Sequence, residues 1–249
     1  MTGSVLGTTL NLTTYTQVAQ EVIQIARSGK VAALAAANTH LIAEAVDHPE
    51  FAAVLAGFDW VVPDGMPLVW ALQLDGHDID DRVYGPYLMQ HLLTHSPKSL
   101  RHYFLGGTEE CLHRLQQAAR KLNPEITIAG ALSPPFGRWD DATETAIIQA
   151  INAAQADLIW VALGGVKQET WIARNRHRFQ RGVFLAVGDA FALVAGMRSF
   201  APGWMQRCGL TWMFRLIQEP RRLLTRYLEK NTRFIIAFLA DRLRRVYDA

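Results

Sequence analysis

The chain has 249 residues, of which 50% are hydrophobic, and a formal net charge of +2, so it can bury the core of one large α/β domain and is not a disordered protein. Its two cysteines, Cys111 and Cys208, lie far apart and without Cys/His metal spacing, which favours a reducing compartment and argues against a zinc site. The N-terminus lacks a signal-peptide pattern and no run of 18 apolar residues occurs, so we expect neither export nor a bilayer span.

Short apolar runs alternate with longer segments of helical periodicity along most of the chain. The predicted strands, each buried on both faces, are Val31–Ala37, Phe58–Val62, His102–Gly107, Ile126–Leu132, Asp157–Gly165 and Gly182–Gly188. The predicted helices are Tyr15–Ser28, His40–Leu55, Thr108–Leu122, Ala142–Ala154 and Gln168–Phe179. This βα repetition predicts an α/β fold with a largely parallel sheet and helices on both faces.

Polar or glycine-rich residues follow each predicted strand. Because a parallel sheet binds ligands beyond the carboxyl ends of its strands, these junctions predict a cleft. They are Asn38-Thr39, Pro63-Asp64-Gly65, Gly106-Gly107-Thr108, Pro134 to Gly137, Gly164 to Gln168, and Gly188-Asp189. The double glycines let backbone amides approach a phosphate, although Gly-Gly-Thr is also typical of a turn followed by a helix N-cap.

Asp64 stands alone between Pro63 and Gly65 in the stretch VVPDGMPLVWAL, at the exit of a predicted strand. Turn chemistry explains this residue without any function, because Pro-Asp-Gly suits a β-turn and aspartate caps helices well. A carboxylate at the edge of a cleft is also placed to act as a general base. The stretch taken alone leaves both interpretations open.

The C-terminal segment differs in charge from the rest of the chain. From Trp204 onward there are ten basic and four acidic residues, a net charge of +6, which leaves −4 for residues 1–203. We therefore divide the chain into a body, residues 1–203, and a basic amphipathic helical appendage, residues 204–249, in which Pro220 breaks or restarts the helix. The basic charge favours a polyanionic partner, such as a membrane surface, a phosphate or a nucleic acid. There are two alternatives: the appendage is a solvated helix packed on the body, or its apolar face mediates self-association into a homo-oligomer.

Common nucleotide and hydrolase motifs are missing. The chain has no GxGxxG after a strand and no GxxxxGK[ST], which disfavours a nicotinamide-dependent oxidoreductase and a P-loop enzyme, and it has neither GxSxG nor HExxH. Asp78-Ile79-Asp80 could be taken for a metal-binding DxD motif. Three aspartates crowded before Arg82 are more typical of a solvated loop, so we expect no metal site.

Taken in order, the junction motifs resemble the WecG/TagA/CpsF family of bacterial glycosyltransferases, from about Gly7 to about Tyr227. The similar pieces are Asn38 after the first core strand, VVPDGMPLVW, RVYGPYLM, FLGGTEE, PPFG, VALGGVKQETWI, VGDAFALVAG, FAPGWMQRCGL and FRLIQEPRRLLTRYL. The resemblance implies a Rossmann-like body and inverting, metal-independent transfer of a sugar of the N-acetylmannosamine type from a UDP donor to a polyprenyl-diphosphate-linked acceptor. It implies no cofactor beyond the UDP-sugar and no nucleic-acid partner. It also implies a cytoplasmic protein held peripherally on an anionic membrane surface by the appendage.

The resemblance also implies roles for individual residues. Asp64 matches the proposed general base. The expected substrate-binding residues are Asn38, Thr39, Arg82, Gly106, Gly107, Gly164, Gln168 and Asp189, and those expected to meet the acceptor diphosphate or the membrane are Arg215, Arg222 and Arg226. Helix capping competes with substrate binding for Asn38 and Gln168, and a surface salt bridge to Asp80 or Asp81 competes for Arg82.

The chain departs from the family pattern at four positions. Ala36 stands where a threonine is usual, Val166 where a proline is usual, and Tyr87 and Ala192 where an aspartate is common. These departures bear on the identity of the sugar more than on the reaction type. A non-catalytic, nucleotide-binding membrane scaffold is the alternative function.

Overall fold

The computed structural model describes residues 1–247, apart from the side chains of 222, 225–228 and 246. An antiparallel hairpin opens the chain, with β1 (Thr2–Val5) paired to β2 (Thr8–Asn11). The turn between them places Leu6 and Gly7 at positive φ. This hairpin was not predicted, because its four-residue strands are too short to show clear alternation.

Within the described residues, the main sheet has six strands, and every pair of neighbours is parallel. They are β3 (Val31–Ala37), β4 (Trp60–Pro63), β5 (Arg101–Gly106), β6 (Thr127–Leu132), β7 (Leu158–Ala162) and β8 (Gly182–Ala186). Their order across the sheet is β4-β3-β8-β7-β5-β6. The predicted parallel α/β sheet is confirmed, and the bounds of β3 agree with the prediction.

The helices of the body cover both faces of this sheet. They are α1 (Tyr15–Ser28), α2 (Thr39–Asp47), α3 (Pro49–Ala56), α4 (Met66–Leu74), α5 (Gly85–His95), α6 (Glu109–Leu122), α7 (Asp141–Ala153), α8 (Lys167–Asn175) and α9 (Ala190–Val194). α1 has the predicted bounds, because Thr14 and Gln17 form a capping box at its start and Gly29 ends it with φ 71°.

The single helix predicted for His40–Leu55 is wrong, because the chain forms two helices that separate at His48. Pro49 is the first residue of α3 and disfavours helical backbone in the residue before it, so His48 is extended, with φ −132° and ψ 94°. The predicted helix Gln168–Phe179 is also too long: α8 ends at Asn175, and a 3₁₀ turn, Arg176–Arg178, follows.

Alternate residues of β3 pack into two separate cores. Ala33, Ala35 and Ala37 belong to one core, together with side chains of α2, α4 and α8, whereas Ala32 and Leu34 belong to the other, together with side chains of α1, α5 and α6. The small alanines let helices approach the centre of the sheet closely, and the alternation confirms that helices pack on both faces.

The C-terminal segment forms α10 (Gly203–Arg207), α11 (Thr211–Gln218) and α12 (Pro220–Tyr247). Pro220 restarts the helix as predicted, because a proline is tolerated at the first position of a helix. Phe234 of α12 is buried in the core that contains α2. Ion pairs add to this contact: Lys230 lies 2.6 Å from Glu44, Arg242 lies 2.8 Å from Asp75, and Arg233 pairs with Asp47.

Candidate active site

Four expected site residues follow four neighbouring strands of the sheet. Asp64 comes after β4, Asn38 after β3, Asp189 after β8 and Gln168 after β7. Because all these strands are parallel, their carboxyl ends lie along one edge, and neighbouring strands are spaced by about 4.8 Å. The sheet therefore brings the four polar residues together at its carboxyl edge.

Asp64 is held on both sides by backbone hydrogen bonds. Its own N–H donates to the carbonyl of Ala37 at 2.7 Å, and its Oδ1 accepts a 2.6 Å hydrogen bond from the N–H of Gly85, the first residue of α5. A side chain on Gly85 would lie 3.3 Å from Asp64 Oδ1, so a residue without one fits this approach. Among the described residues, nothing donates a hydrogen bond to Asp64 Oδ2, which leaves that oxygen able to accept a proton.

Burial raises the pKa of Asp64 above its ordinary value. The Gly85 amide and the charges of Arg82 and Arg215 act in the opposite direction, whereas the charge of Asp189 raises this pKa further. The net effect is a carboxylate with increased proton affinity. That is the change a general base requires in order to take a proton from an alcohol near neutral pH.

Arg82 is buried and turned toward the appendage. Its Nη2 donates to Thr211 Oγ1 at 3.1 Å and lies 3.4 Å from Gln206 Oε1, while its guanidinium stacks 4.3 Å above the ring of Tyr84. No ion pair involves Arg82 within the described part of the chain, so the structure does not form the surface salt bridge considered above. A buried guanidinium with neutral partners keeps its positive charge available to an anionic ligand.

Arg215 of α11 reaches the end of β8. Its Nη2 lies 2.6 Å from Asp189 Oδ2, and the other carboxylate oxygen of Asp189 pairs with Arg198. Asp189 therefore connects the body to the appendage in this structure. Arg222 and Arg226, which were expected to meet the acceptor or the membrane, have side chains outside the described residues.

Gln168 lies at the start of α8 and is 3% exposed. Its Nε2 donates to Glu169 Oε1 at 2.8 Å, whereas its Oε1 has no hydrogen-bond partner among the described groups. Gln168 does not cap α8, because the N-cap is Val166, which makes no side-chain cap bond. Gly164, at φ 92°, has open space beside it, so its backbone is accessible to a ligand.

Asn38 and Thr39 hold two helices in place. Asn38 Oδ1 accepts hydrogen bonds from the N–H groups of His40 and Leu41, at 3.1 and 3.3 Å, and caps α2. Thr39 Oγ1 donates to Asn231 Oδ1 of α12 at 2.9 Å. The capping role considered for Asn38 is therefore present, and Thr39 contacts the appendage.

Gly106 and Gly107 have a clear structural role. A side chain on Gly106 would clash with the carbonyl of Ala162 in β7, so glycine is needed where β5 and β7 pack. Gly107, at φ 72°, leads into Thr108, whose Oγ1 accepts from the N–H of Cys111 at 3.2 Å and caps α6. The turn and N-cap interpretation of Gly-Gly-Thr is therefore correct, while Gly107 stays exposed at the edge.

The positions that depart from the family pattern fall around this edge. Tyr87 Oη accepts a 2.7 Å hydrogen bond from Gln206 of α10, and Ala36 lies buried beside Gly85. The carbonyl of Ala192 accepts from the N–H of Arg198 at 3.1 Å. Val166 adopts φ 69° and ψ −52°, a strained backbone for a β-branched residue.

Sequence reasoning missed Gly85, Tyr84 and Arg198 as site residues. Gly85 and Tyr84 were visible within RVYGPYLM, but their contacts with Asp64 and Arg82 depend on how the loop before α5 folds.

Another missed feature is Phe136, whose side chain is fully exposed on the loop after β6. Lys167 holds this loop near α8 by a 2.5 Å hydrogen bond to the carbonyl of Gly137.

In the part of the chain that the structure describes, no group of three or more His, Cys, Asp or Glu side chains is arranged to hold a metal ion. No helix among the described residues has both the length and the apolar character needed to cross a bilayer.

Comparison with curated proteins finds relatives that share one name, N-acetylglucosaminyldiphosphoundecaprenol N-acetyl-beta-D-mannosaminyltransferase. The protein of this name from Bacillus spizizenii is 32% identical over 194 residues, which are 78% of this chain and 74% of the relative. The Bacillus subtilis protein is 29% identical over 77% of this chain and 73% of the relative. The Staphylococcus aureus protein is 24% identical over 75% and 72%.

A model of the glycosyl transferase WecG/TagA/CpsF family matches residues 3–247, nearly the whole chain. This match includes the Asp64 turn, the Arg82 loop, the Gln168 junction and the three C-terminal helices. The chain belongs to the WecG/TagA/CpsF family and is a glycosyltransferase.

Proposed function

We propose that this protein transfers an N-acetylmannosamine-type sugar from a UDP donor to a polyprenyl-diphosphate-linked saccharide, with inversion and without a metal ion. The observation that carries the proposal is the placement of Asp64 at the carboxyl edge, where its Oδ2 accepts no hydrogen bond from the described residues and the charges of Arg82 and Arg215 act on its pKa. The names of the relatives supply the substrate class, because they describe N-acetylmannosaminyl transfer to N-acetylglucosaminyl-diphospho-undecaprenol.

In the proposed reaction, Asp64 Oδ2 takes the proton of the acceptor hydroxyl as its oxygen attacks the anomeric carbon. A new carbon–oxygen bond forms while the bond from that carbon to the β-phosphate oxygen breaks, and its electron pair leaves with UDP. Attack from the face opposite to the leaving group inverts the anomeric configuration. The raised pKa of Asp64 favours this proton transfer.

The departing UDP gains negative charge, which must be stabilised. Arg82 is held by Thr211 and Arg215 is held by Asp189, and the charges of both act on Asp64, so both cations are positioned before the reaction begins. Preorganised positive charge of this kind commonly contributes a factor of about 10² to 10³ in kcat for each donor. The two arginines can thus supply the charge stabilisation that a divalent cation gives to other transferases.

We further propose that the neighbouring polar groups bind the sugars and the diphosphate. The free Oε1 of Gln168 can accept a hydrogen bond from a sugar hydroxyl, and the accessible backbone at Gly164 and Gly107 can approach a phosphate. Asn38 keeps its side-chain amide donors for the same purpose while its Oδ1 caps α2. Satisfying a buried amide oxygen of this kind favours a hydroxylated ligand over one that lacks the hydroxyl.

We propose that the appendage, residues 204–249, holds the body, residues 1–203, on the cytoplasmic face of the membrane. α10 and α11 expose Trp204, Trp212 and Ile217, which are 56%, 41% and 69% accessible. α12 adds an exposed row on the side away from α2, called here the α12 stripe: Ile235, Ile236, Leu239, Leu243 and Tyr247. Apolar side chains on basic helices are typical of segments that lie on anionic membranes.

The proposal is tested with the variant Asp64→Asn. UDP-N-acetylmannosamine and a short-chain N-acetylglucosaminyl-diphospho-lipid serve as substrates, and calorimetry with UDP measures nucleotide binding. We expect the variant to lose transfer and to retain its affinity for UDP. The proposal would be contradicted if Asp64→Asn transferred sugar as fast as the unaltered protein, or if the unaltered protein transferred none. An unaltered protein that binds UDP but transfers no sugar would support the scaffold function instead.

A further inference from the structure

Arg198 lies in the segment between α9 and α10 and contacts two carboxylates at once. Its Nη1 pairs with Oδ1 of Asp189 at the end of β8, and its Nη2 lies 2.6 Å from Oε1 of Glu219 at the end of α11. One guanidinium thus connects the catalytic edge of the sheet to the appendage. Its planar, forked donors can hold two partners in fixed directions, which a lysine ammonium cannot do.

The contacts of Asp189 extend this connection toward Asp64. Asp189 pairs with Arg198 through Oδ1 and with Arg215 through Oδ2, so the ionic chain runs Glu219–Arg198–Asp189–Arg215. Each of these four side chains is only 22–25% exposed. Partly buried charges in a connected network are screened less by solvent than isolated surface pairs.

Hydrogen bonds from the next residue fasten the same two segments. The N–H of Ser199 lies 3.3 Å from Gln218 Oε1, and Gln218 Nε2 donates to the carbonyl of Ser199 at 3.2 Å. The C-terminal end of α11 is therefore fixed by this amide pair together with Arg198, while its N-terminal end is fixed by the bond from Arg82 to Thr211. α11 is held at both ends, with Arg215 on the side that faces Asp189.

We infer that Arg198 is a positioning residue for the transfer reaction, which orients Asp189 so that Arg215 is held at the carboxyl edge of the sheet, the edge at which Asp64 lies. This inference rests on the proposed function. It assigns Asp189 to the support of Arg215 rather than to direct contact with the sugar.

The test compares Arg198→Ala and Arg198→Lys with Arg114→Ala, which removes an exposed ion pair to Glu110 on α6. We expect Arg198→Ala to lower kcat about 10- to 100-fold, because a misplaced catalytic group costs rate rather than ground-state binding, while UDP affinity stays within about threefold. Arg198→Lys should recover part of the lost rate, and Arg114→Ala should behave like the unaltered protein.

A purely structural role for Arg198 would leave the pH dependence unchanged, so the pH profile of kcat/KM is the discriminating measurement. Loss of Arg198 leaves the charge of Asp189 less compensated and loosens Arg215; both effects raise the proton affinity of Asp64. The acidic limb of the profile should therefore move to higher pH. Hydrogen exchange in residues 203–219 should also accelerate, a readout that needs no substrate.

Unaltered kcat, pH profile and exchange in a folded Arg198→Ala variant would overturn the inference while leaving the proposed function intact. Failure of the proposed function has a different signature, since the unaltered protein would then transfer no sugar. An Arg198→Ala variant that slows transfer without moving the acidic limb would also overturn the inference, because Arg215 would not have left its place against Asp189 at the carboxyl edge.

Discussion

The N–H of Gly85 donates a 2.6 Å hydrogen bond to Oδ1 of Asp64, so the first turn of α5 holds one oxygen of a carboxylate that burial makes harder to ionise. The bond fixes the direction of the side chain and leaves Oδ2 for the acceptor. It only partly offsets the cost of burying the charge, since the net shift of the Asp64 pKa is upward.

The first prediction concerns pH. Because Asp64 must be deprotonated to act as a base, kcat/KM should fall on the acidic side at a higher pH than the ordinary aspartate pKa would give. A matched profile of Asp80→Asn, an exposed residue of the loop before Arg82, should superimpose on that of the unaltered protein. An acidic limb at the ordinary aspartate pKa would contradict the assignment of Asp64.

A second prediction concerns stability at the same residue. A carboxyl whose pKa is raised by folding stabilises the fold below its ordinary pKa, and this contribution is lost as the pH rises through the folded value. Asp64→Asn keeps an oxygen that accepts from Gly85 but removes the charge of this half-buried, desolvated carboxylate. We therefore expect the thermal midpoint of Asp64→Asn at neutral pH to equal or exceed that of the unaltered protein, and the difference to vanish in acid. A clearly lower midpoint for Asp64→Asn at neutral pH would show that the Asp64 charge does not destabilise the fold.

A third prediction concerns Arg82. Arg82→Ala should lower kcat by about 10² or more, because it removes a preorganised cation. Thr211→Val is the matched control, since it removes only the hydrogen bond to Arg82. The control should lower kcat far less than Arg82→Ala does. Equal losses of kcat in the two variants would indicate that Arg82 acts by fastening the appendage. An Arg82→Ala variant as active as the unaltered protein would exclude a role for Arg82 in the reaction.

A fourth prediction concerns the exposed apolar residues of α11. Ile217→Glu should reduce co-sedimentation with anionic phospholipid vesicles and leave UDP binding unchanged, because Ile217 is 69% exposed. Leu122→Glu, at an exposed position of α6, is the control and should bind vesicles like the unaltered protein. If Ile217→Glu sedimented with the vesicles as the unaltered protein does, α11 would not be the membrane contact, and another surface, such as the α12 stripe, would have to provide it.

A fifth prediction concerns the docking of α12. Asp75 forms ion pairs with Arg242 at 2.8 Å and with Arg245 at 3.2 Å, so Asp75→Asn should lower the free energy of unfolding by about 1 kcal/mol. High salt should reduce this difference, because it screens the pairs in the unaltered protein. Asp78→Asn, at an exposed position in the same loop, should leave the free energy of unfolding unchanged. If the loss of stability in Asp75→Asn did not depend on salt, its cause would not be the loss of charge.

Much of the sheet could be predicted because buried parallel strands are continuous apolar runs, as in Val31–Ala37. The carboxyl edge followed from the same pattern, and with it the position of Asp64. The proline at position 49 was a visible signal of the break between α2 and α3, but the apolar periodicity on either side masked it.

The contacts of the appendage could not be predicted from local patterns. Thr39 bonds to Asn231, 192 positions away, and Arg82 bonds to Thr211, 129 positions away. The backbone conformation of Val166 could not be predicted either, because a β-branched residue rarely adopts φ 69°. The family's usual proline is fixed near −65° and cannot adopt this value, so the junction before Gln168 takes a conformation that the resemblance did not imply.

The ionic contacts of α12 change what the charge of the appendage means for handling the protein. Lys230, Arg233, Arg242 and Arg245 each face a carboxylate of the body, Glu44, Asp47 or Asp75, so these four positive charges are paired within the folded molecule. Retention on a cation-exchange column should consequently be weaker for the native protein than for the same chain in urea.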